Sequence, residues 1–220
     1  MTTPRRYELV VFDWDGTLFD SAAHIATSIQ RLAADLALPV PSDIEARHII
    51  GLGLQDAMEH LFPALKSADY PRVIERYRHH YFAGEEAVVL FDGVRPGLES
   101  LTARGHLLAV ATGKSRRGLD QILETTGLGP LFHGTRCGDE GFPKPHPEML
   151  EILLDTFGVG RDAALMIGDT THDLEMAKAA GVDGLAVTYG AHDAAKLAAV
   201  APLASVHTPA ELWQWLERNG

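Results

Sequence analysis

Cysteine is almost missing from this chain, since Cys137 is the one cysteine among 220 residues. A single cysteine cannot form a disulfide bond within the chain, and such scarcity is typical of proteins from reducing compartments. We interpret Cys137 as a small, partly buried residue rather than as a catalytic thiol. The length allows one substantial apolar core, or a core domain that carries a smaller insertion.

Long apolar segments are also missing. The N-terminal stretch MTTPRRYELVVF has no apolar run of the length that a signal peptide needs. No run approaches the length of a membrane span, and Lys196 and Pro202 interrupt the small-residue segment 194–204. The sequence therefore predicts no membrane partner and a cytoplasmic location.

Positive charge is scarce. Lysine and arginine number 19 against 30 acidic residues, which gives a formal net charge of −11. Nucleic acids and anionic membranes bind basic patches, so we expect neither to be a main partner. An anionic substrate would need positive charge supplied locally, within its own site.

Motifs of three other site classes are missing. The chain has no Gly-x-Ser-x-Gly elbow, so a serine hydrolase would lack its nucleophile. The "GLG" at 51–53 lacks the third glycine and the preceding strand of a dinucleotide fingerprint, and we interpret it as a bend between helices. The eleven histidines are scattered, and the pair at 79–80 lacks the spacing of a zinc site.

What the chain does contain is a regular alternation of apolar runs and helical patterns. Buried strands are predicted at 9–12, 107–111, 164–167 and 185–187. Helices are predicted near 96–104, 115–126, 147–157, 172–180 and 208–218. This alternation predicts an α/β fold with a doubly wound, mainly parallel, Rossmann-like sheet.

One region departs from the alternation. Between about residues 21 and 86 no strand is predicted, only helices near 22–37, 43–50, 54–62 and 70–83. We interpret this region as an α-helical cap inserted after the first strand. The predicted domains are an α/β core formed by 1–18 and 88–220, and a helical cap formed by 19–87.

Polar residues follow the predicted strands at the points where they end. Asp13 and Asp15 follow the first strand, Thr112 the second and Asp169 the third, while Lys144 precedes a predicted helix. Each alone could be a turn, cap or loop residue. Ligands of open α/β sheets bind at the carboxyl ends of the strands, so their joint occurrence predicts a site there.

Four motifs carry a family resemblance. The segments "DWDGTL", "VATGKS", "KPHP" and "GDTTHD", in this order, resemble the four motifs of the haloacid dehalogenase-like hydrolase superfamily. Within it the chain is similar to the phosphoglycolate phosphatase-like branch, whose helical cap follows the first motif. The resemblance covers nearly the whole chain.

The motif residues suit phosphoryl transfer, which depends on positioning and charge stabilisation. Asp13 is the predicted nucleophile, and Asp15 the general acid and base. Lys144 is the third predicted catalytic residue, because its charge would steady both nucleophile and phosphate. Clustered carboxylates would repel a phosphate, so a divalent cation is expected, and oxygen ligands favour Mg²⁺.

The resemblance also implies the ligands of that metal. Asp13 and Asp169 would bind it through their side chains and Asp15 through its backbone carbonyl. Asp173, one helical turn beyond Asp169, is similar to the second acid of the family motif, which holds metal-bound water or orients the lysine.

The remaining site predictions concern the substrate. Thr112, Gly113 and Lys114 are the predicted phosphate-binding residues. In capped relatives a loop near the "GLG" reaches the active site, so Arg47 and residues 51–55 are candidates for substrate selection. His146, His172 and Asp20 have no assigned role, although Asp20 could serve the start of a helix near Ser21.

These observations predict a Mg²⁺-dependent phosphatase for a small phosphorylated metabolite, with phosphoglycolate the best single candidate. Inorganic pyrophosphate and sugar phosphates are alternatives within the same chemistry. A regulatory phosphoacceptor, like receiver domains, and a binding protein on the same fold are alternatives from other classes.

Dehalogenation is disfavoured because dehalogenases lack an acid at the position of Asp15. A mutase is disfavoured because its cap histidine is replaced by Ile25, with His24 one residue early. The chain could be a monomer or a homodimer.

Overall fold

The computed structural model describes residues 6–84 and 89–220. Its centre is one six-stranded sheet with strand order β3-β2-β1-β4-β5-β6, in which every neighbouring pair is parallel. The strands are β1 (Leu9–Phe12), β2 (Leu107–Thr112), β3 (Gly134–Cys137), β4 (Ala164–Gly168), β5 (Asp183–Val187) and β6 (Ala204–Val206). The predicted fold class is confirmed.

Ten α-helices are present in the described part of the chain. They are α1 (Ala22–Asp35), α2 (Asp43–His48), α3 (Leu54–Leu61), α4 (Tyr70–Phe82), α5 (Val94–Ala103), α6 (Arg116–Thr126), α7 (Glu148–Phe157), α8 (Thr171–Ala180), α9 (Ala194–Ala199) and α10 (Pro209–Asn219). None of the helices in residues 6–84 and 89–220 is long and apolar enough to cross a membrane.

The strand β1 explains why the sheet is covered on both faces. Alternate residues of a strand point to opposite faces, and all four residues of β1 are fully buried. Val10 and Phe12 pack in one apolar cluster with Trp14 and Leu98, whereas Leu9 and Val11 pack in another, with helix α7. A strand buried on both faces must be apolar throughout, which is why the first motif begins with an uninterrupted apolar run.

The four helices α1–α4 pack on one another around their own apolar cluster, which includes Ile29, Leu32 and Met58. A bridge between Phe19 and Leu90 pairs the segment that leaves the sheet with the segment that returns to it. The predicted end of the cap at 87 and restart of the core at 88 lie outside the described residues. The division into domains therefore stays a prediction.

Three short elements were not predicted: β3, β6 and α9. Strands β3 and β6 lie at the two edges of the sheet, and β3 has the sequence GTRC, with no apolar run to signal burial. The six residues of α9 are mostly alanine and bury only Leu197, so they carry no amphipathic pattern. Cys137 ends β3 and is almost completely buried, whereas the sequence was interpreted as placing it in a partly buried position.

Parallel strands direct their carboxyl ends to one edge of the sheet, and this topology assembles the site. β1 pairs with β2 on one side and with β4 on the other. Asp13, Thr112 and Asp169, which end or follow these three strands, are thereby brought to the same edge, although up to 156 residues separate them in sequence. From β1 the chain first adds β2 and β3 on one side, and then crosses over to add β4, β5 and β6 on the other. Open α/β sheets bind ligands at such a switch point.

Candidate active site

The centre of the candidate site is Lys144, which forms two buried ion pairs. Its Nζ donates to Asp13 Oδ1 and to Asp173 Oδ1, each at 2.6 Å. The side chains of all three residues are no more than 1% exposed. Burial opposes the charge of Lys144, but the two carboxylates outweigh it and hold its pKa above the ordinary value.

Asp13 has one oxygen without a partner. Lys144 occupies Oδ1, whereas Oδ2 is buried and has no hydrogen-bond partner among the described residues. Burial raises the pKa of Asp13 well above its ordinary value, and the neighbouring Asp173 and Asp169 add to the effect. A buried, unpartnered carboxylate oxygen is costly unless a cation or a reacting group uses it.

Asp169 is held in place by donors from two sides. Its carboxylate accepts from Thr17 Oγ1 at 2.8 Å and from the Ala191 N–H at 2.7 Å. Burial and the Asp173 charge raise the pKa of Asp169 to about 7. Gly16, at φ +82°, lies so close that a Cβ there would collide with the Asp169 carboxylate, so the turn after β1 requires glycine.

Asp173 serves two purposes. One oxygen accepts from Lys144, and the other accepts from the N–H of Thr170 at 3.0 Å and from its hydroxyl at 2.7 Å. The second set of bonds is half of a capping box that begins α8. The start of a helix therefore fixes the orientation of the acid.

Asp13, Asp169 and Asp173 can each offer one oxygen within 4.8 Å of the other two. All three carboxylates are buried, and Asp13 Oδ2 is unpartnered among the residues that the structure describes. Hard oxygen donors of this kind suit a hard divalent cation. The residues present fit a metal ion of the kind predicted from the sequence.

Asp15 connects the core to the cap. Its Oδ1 accepts from Ser21 Oγ at 2.7 Å and from Lys114 Nζ at 3.1 Å. Lys114 Nζ also donates to the hydroxyl of Tyr81, on cap helix α4, at 2.8 Å. Burial lowers the pKa of Lys114, but the Asp15 charge and Tyr81 outweigh this, so its pKa lies above the ordinary value. Asp15 is thus positioned by Ser21, which precedes helix α1, and by Lys114, which follows strand β2.

Gly113 gives the cap loop its close approach to the core. A Cβ on Gly113 would collide with the carbonyl oxygen of Leu52 and would lie 2.6 Å from that of Gly51. Thr112, next to it, is buried, and its hydroxyl accepts from the Lys114 N–H at 3.1 Å. The loop that contains "GLG" therefore lies directly over the predicted phosphate-binding residues.

Core and cap enclose a cavity of about 70 Å³. Its core side is lined by five predicted site residues: Asp13, Asp15, Thr112, Gly113 and Lys114. Its cap side includes six apolar residues that we call the apolar cap wall: Ile25, Ile49, Ile50, Leu52, Leu54 and Met58. Leu52 and Leu54 fall in the predicted loop 51–55, but the other four were not predicted.

Comparison with known proteins decides the family. The model of the haloacid dehalogenase-like hydrolases matches residues 10–187. The chain belongs to the haloacid dehalogenase-like hydrolase family. The resemblance found in the four motifs is confirmed, and the match includes the segment that forms α1–α4.

Two curated relatives cover most of this hydrolase. A probable phosphatase IndB of Dickeya dadantii is 36% identical over 211 residues, which cover 93% of this chain and 91% of the relative. A phosphoglycolate phosphatase of Pseudomonas putida is 33% identical over 198 residues, which cover 86% and 71% respectively. The similarity therefore extends through both core and cap segments.

Two solved structures agree with this family assignment. A predicted phosphoglycolate phosphatase from Haemophilus somnus superposes with a TM-score of 0.81 at 28% identity, covering 95% of this chain and 97% of that one. A predicted phosphatase from Clostridium acetobutylicum gives 0.84 at 26% identity, with 96% and 99% coverage. The fold of this hydrolase is thus shared with these structures over at least 95% of the chain.

Arg47 lies apart from the cavity of this hydrolase. Its Nε donates to Asp43 at 2.8 Å on the same helix, and its side chain does not line the space under the cap. Its role in substrate selection stays a prediction without support from a contact. Asp20 is exposed, and Ser21 precedes α1 without a side-chain cap bond.

Three histidines meet where the cap joins the core, a cluster that the sequence did not predict. His172 Nε2 lies 2.8 Å and His192 Nε2 3.1 Å from the backbone oxygen of His48, the last residue of cap helix α2. The His192 Nδ1 accepts from the N–H of Thr171 at 3.0 Å. Both core imidazoles therefore donate to one cap carbonyl. His146 instead stacks on Phe142.

Proposed function

We propose that this hydrolase is a Mg²⁺-dependent phosphatase that cleaves a small phosphomonoester through an aspartyl-phosphate on Asp13. The observation that carries the proposal is the carboxylate of Asp13, with Oδ1 fixed by Lys144 and Oδ2 buried without a partner among the described residues. An oxygen that is oriented and dehydrated in this way is prepared to attack phosphorus. The relatives named as phosphatases support the same chemistry.

The reaction is a pair of displacements at phosphorus. In the first, Asp13 forms an O–P bond, the ester O–P bond breaks, and Asp15 donates its proton to the leaving oxygen. In the second, Asp15 accepts a proton from water as that water attacks phosphorus, which releases phosphate and frees Asp13. A positioned acid and base of this kind contributes roughly 10²–10⁴-fold to the rate. The bonds from Ser21 and Lys114 hold Asp15 for both transfers.

Asp13, Asp169 and Asp173 would hold the metal ion, together with the backbone carbonyl of Asp15. When bound, Mg²⁺ supplies positive charge that offsets the carboxylates and the phosphoryl oxygens. Lys144 and Lys114 add two more positive charges at the same edge of the sheet. These positive charges within the site would offset the repulsion between an anionic substrate and a chain with a net charge of −11.

Phosphoglycolate is the first ester to test, because several relatives are named phosphoglycolate phosphatases. Inorganic pyrophosphate and sugar phosphates require the same chemistry. The cytoplasmic location and the state as monomer or homodimer stay predictions. The family match gives no reason to expect nucleic acid as a partner.

The test is phosphate release by the purified chain from a panel of phosphoesters, with Mg²⁺ and after removal of metal with EDTA. We expect many turnovers per enzyme with Mg²⁺ and none after EDTA, with recovery when Mg²⁺ is restored. Absence of turnover on the whole panel would refute the proposal. Release of at most one phosphate per chain would instead favour a phosphoacceptor of the receiver type.

A further inference from the structure

The cavity under the cap has two chemically different sides. The core side carries the reactive aspartates and the phosphate-binding residues, whereas the apolar cap wall (Ile25, Ile49, Ile50, Leu52, Leu54 and Met58) is made of aliphatic and thioether side chains. Once the phosphoryl group lies against the core residues, the leaving group must face the cap side, where Gly51, Ala57 and Tyr77 line the cavity beside this wall. The wall thus decides which alcohols are accepted.

The two lysines at this edge of the sheet are already engaged in ion pairs. Lys144 is bound to Asp13 and Asp173, and Lys114 to Asp15 and Tyr81. Lys114 is the single positively charged side chain among the described residues that line the cavity, and none of them is an arginine. A second anionic group on the substrate would therefore compete with Asp15 for Lys114.

The charge balance of the site adds to this argument. Because Asp15 carries the proton that it donates to the leaving oxygen, three charged aspartates face two lysines and one expected divalent cation, so a phosphate dianion leaves an excess of negative charge. A carboxylate on the leaving group would add a further negative charge while losing its water against aliphatic carbon. Burying a charge without a partner is strongly unfavourable.

A helix N-terminus could replace a cation, and α3 begins at Leu54 of the apolar cap wall. However, Asp56 lies in the first turn of α3, and its Oδ2 is 2.9 Å from the position of a Cβ on Gly53, the N-cap residue. A carboxylate of the chain itself therefore lies close to this end of the helix. A second carboxylate from the substrate would meet repulsion there.

We propose that the preferred leaving group is small, uncharged and apolar on its surface, and that the apolar cap wall selects it. This proposal rests on the phosphatase function above. It assigns this chain to short-chain alkyl phosphates and related neutral monoesters, and it ranks phosphoglycolate below them.

The test compares two esters of matched shape: isobutyl phosphate, and phosphoglycolate, whose carboxylate replaces the isopropyl group. We expect kcat/KM for isobutyl phosphate to be at least tenfold higher with Mg²⁺ present. Equal or faster hydrolysis of phosphoglycolate would overturn the proposal and leave the phosphatase function intact. Hydrolysis of other phosphoesters of the panel but of neither of these two would overturn this proposal alone, whereas absence of turnover on the whole panel would refute the phosphatase function as well.

Direct binding gives a readout that does not depend on turnover. In the Asp13→Asn variant with Mg²⁺, calorimetry should show tighter binding of isobutyl phosphate than of phosphoglycolate. The opposite order would overturn the proposal, even if the kinetic comparison had favoured it.

A variant pair tests the wall itself. Leu54→Arg places a cation on the apolar cap wall and should shift the kcat/KM ratio at least tenfold towards phosphoglycolate. Leu61→Arg, at the far end of α3 and outside the cavity, is the matched control and should leave the ratio unchanged. An unchanged ratio in folded Leu54→Arg would overturn the role of the wall. Leu54→Met, which keeps an apolar side chain, should retain the original preference.

Discussion

Lys144 and Asp13 form an ion pair from which water is excluded, with 2.6 Å between Nζ and Oδ1 and side chains at most 1% exposed. Removing two charges from water costs several kcal/mol per ion, and the attraction offsets this only in good geometry. The pair is thus better explained by function than by stability. Its effect is to fix one oxygen of Asp13 and leave the other available to a cation or a phosphorus atom.

Replacing Lys144 with methionine should harm both stability and turnover. Asp13 and Asp173 would be left buried without their cation, and breaking a buried pair in this way costs about 3–5 kcal/mol. We expect that loss in the free energy of unfolding by urea without metal, and at least a 100-fold fall in kcat. In the double variant Asp13→Asn, Lys144→Met, part of the stability should return. A loss below about 1 kcal/mol in the single variant would contradict this account of the pair.

The Asp13→Asn variant should separate chemistry from folding. The amide keeps the shape of the side chain but removes the charge of the proposed nucleophile, so turnover and phosphoenzyme formation should both disappear. The free energy of unfolding without metal should stay the same or rise, because burial already disfavours the charged form of Asp13. Mass spectrometry after rapid quenching should find phosphoprotein in the Asp15→Ala variant and none in Asp13→Asn. Phosphoprotein in Asp13→Asn would point to a different nucleophile.

Gly113→Ala should displace the loop 51–55 without replacing any of the proposed catalytic residues. Its Cβ would collide with the carbonyl of Leu52, so the loop must move away from the core. We expect kcat/KM to fall at least tenfold, while the folded state is retained. Gly118→Ala is the control, because the nearest atom to its Cβ, Ser115 Oγ, is 3.4 Å away, and alanine should stabilise helix α6 by about 0.5–1 kcal/mol. Equal activity of the two variants would show that the close approach is dispensable.

The sequence could predict the core of the site because parallel topology leaves little choice. Once β1, β2 and β4 are read as neighbouring buried strands, Asp13, Thr112 and Asp169 must reach one edge of the sheet. The apolar cap wall could not be predicted in the same way. Ile25 and Met58 follow helical spacing, and that spacing does not tell a residue that faces the cavity from one that packs between helices.

The histidine cluster could not be predicted either, for a different reason. His48 and His172 are 124 positions apart, and no motif connects them. Their meeting depends on how the cap lies on the core, which is set by packing over many residues rather than by local pattern. The edge strand β3 was missed because its sequence, GTRC, carries no apolar run.

His192 should make the stability of the protein depend on pH below neutrality. Its Nδ1 accepts from the Thr171 N–H while its Nε2 donates to the His48 carbonyl, so the imidazole must be neutral in this arrangement. Burial is the main cause that lowers the pKa of His192 to about 4, against about 6.5 in the unfolded chain. A group with a lowered pKa binds its proton more readily when unfolded, so acid favours unfolding.

We therefore expect the contribution of His192 to the free energy of unfolding to be constant above pH 6.5 and to fall as the pH drops from about 6.5 to 4, whereas the raised pKa of Asp169 acts in the opposite direction. The contribution of His192 to this fall is on the order of 3 kcal/mol. His192→Gln keeps one donor and one acceptor but cannot be protonated, so its unfolding free energy should fall less steeply over the same range. His79→Gln, at an exposed position on α4, is the control and should keep the wild-type slope. Urea unfolding at pH 7.0, 5.5 and 4.5 gives the slope of unfolding free energy against pH for the wild type and both variants. Equal slopes in His192→Gln and wild type would rule out His192 as the titrating group.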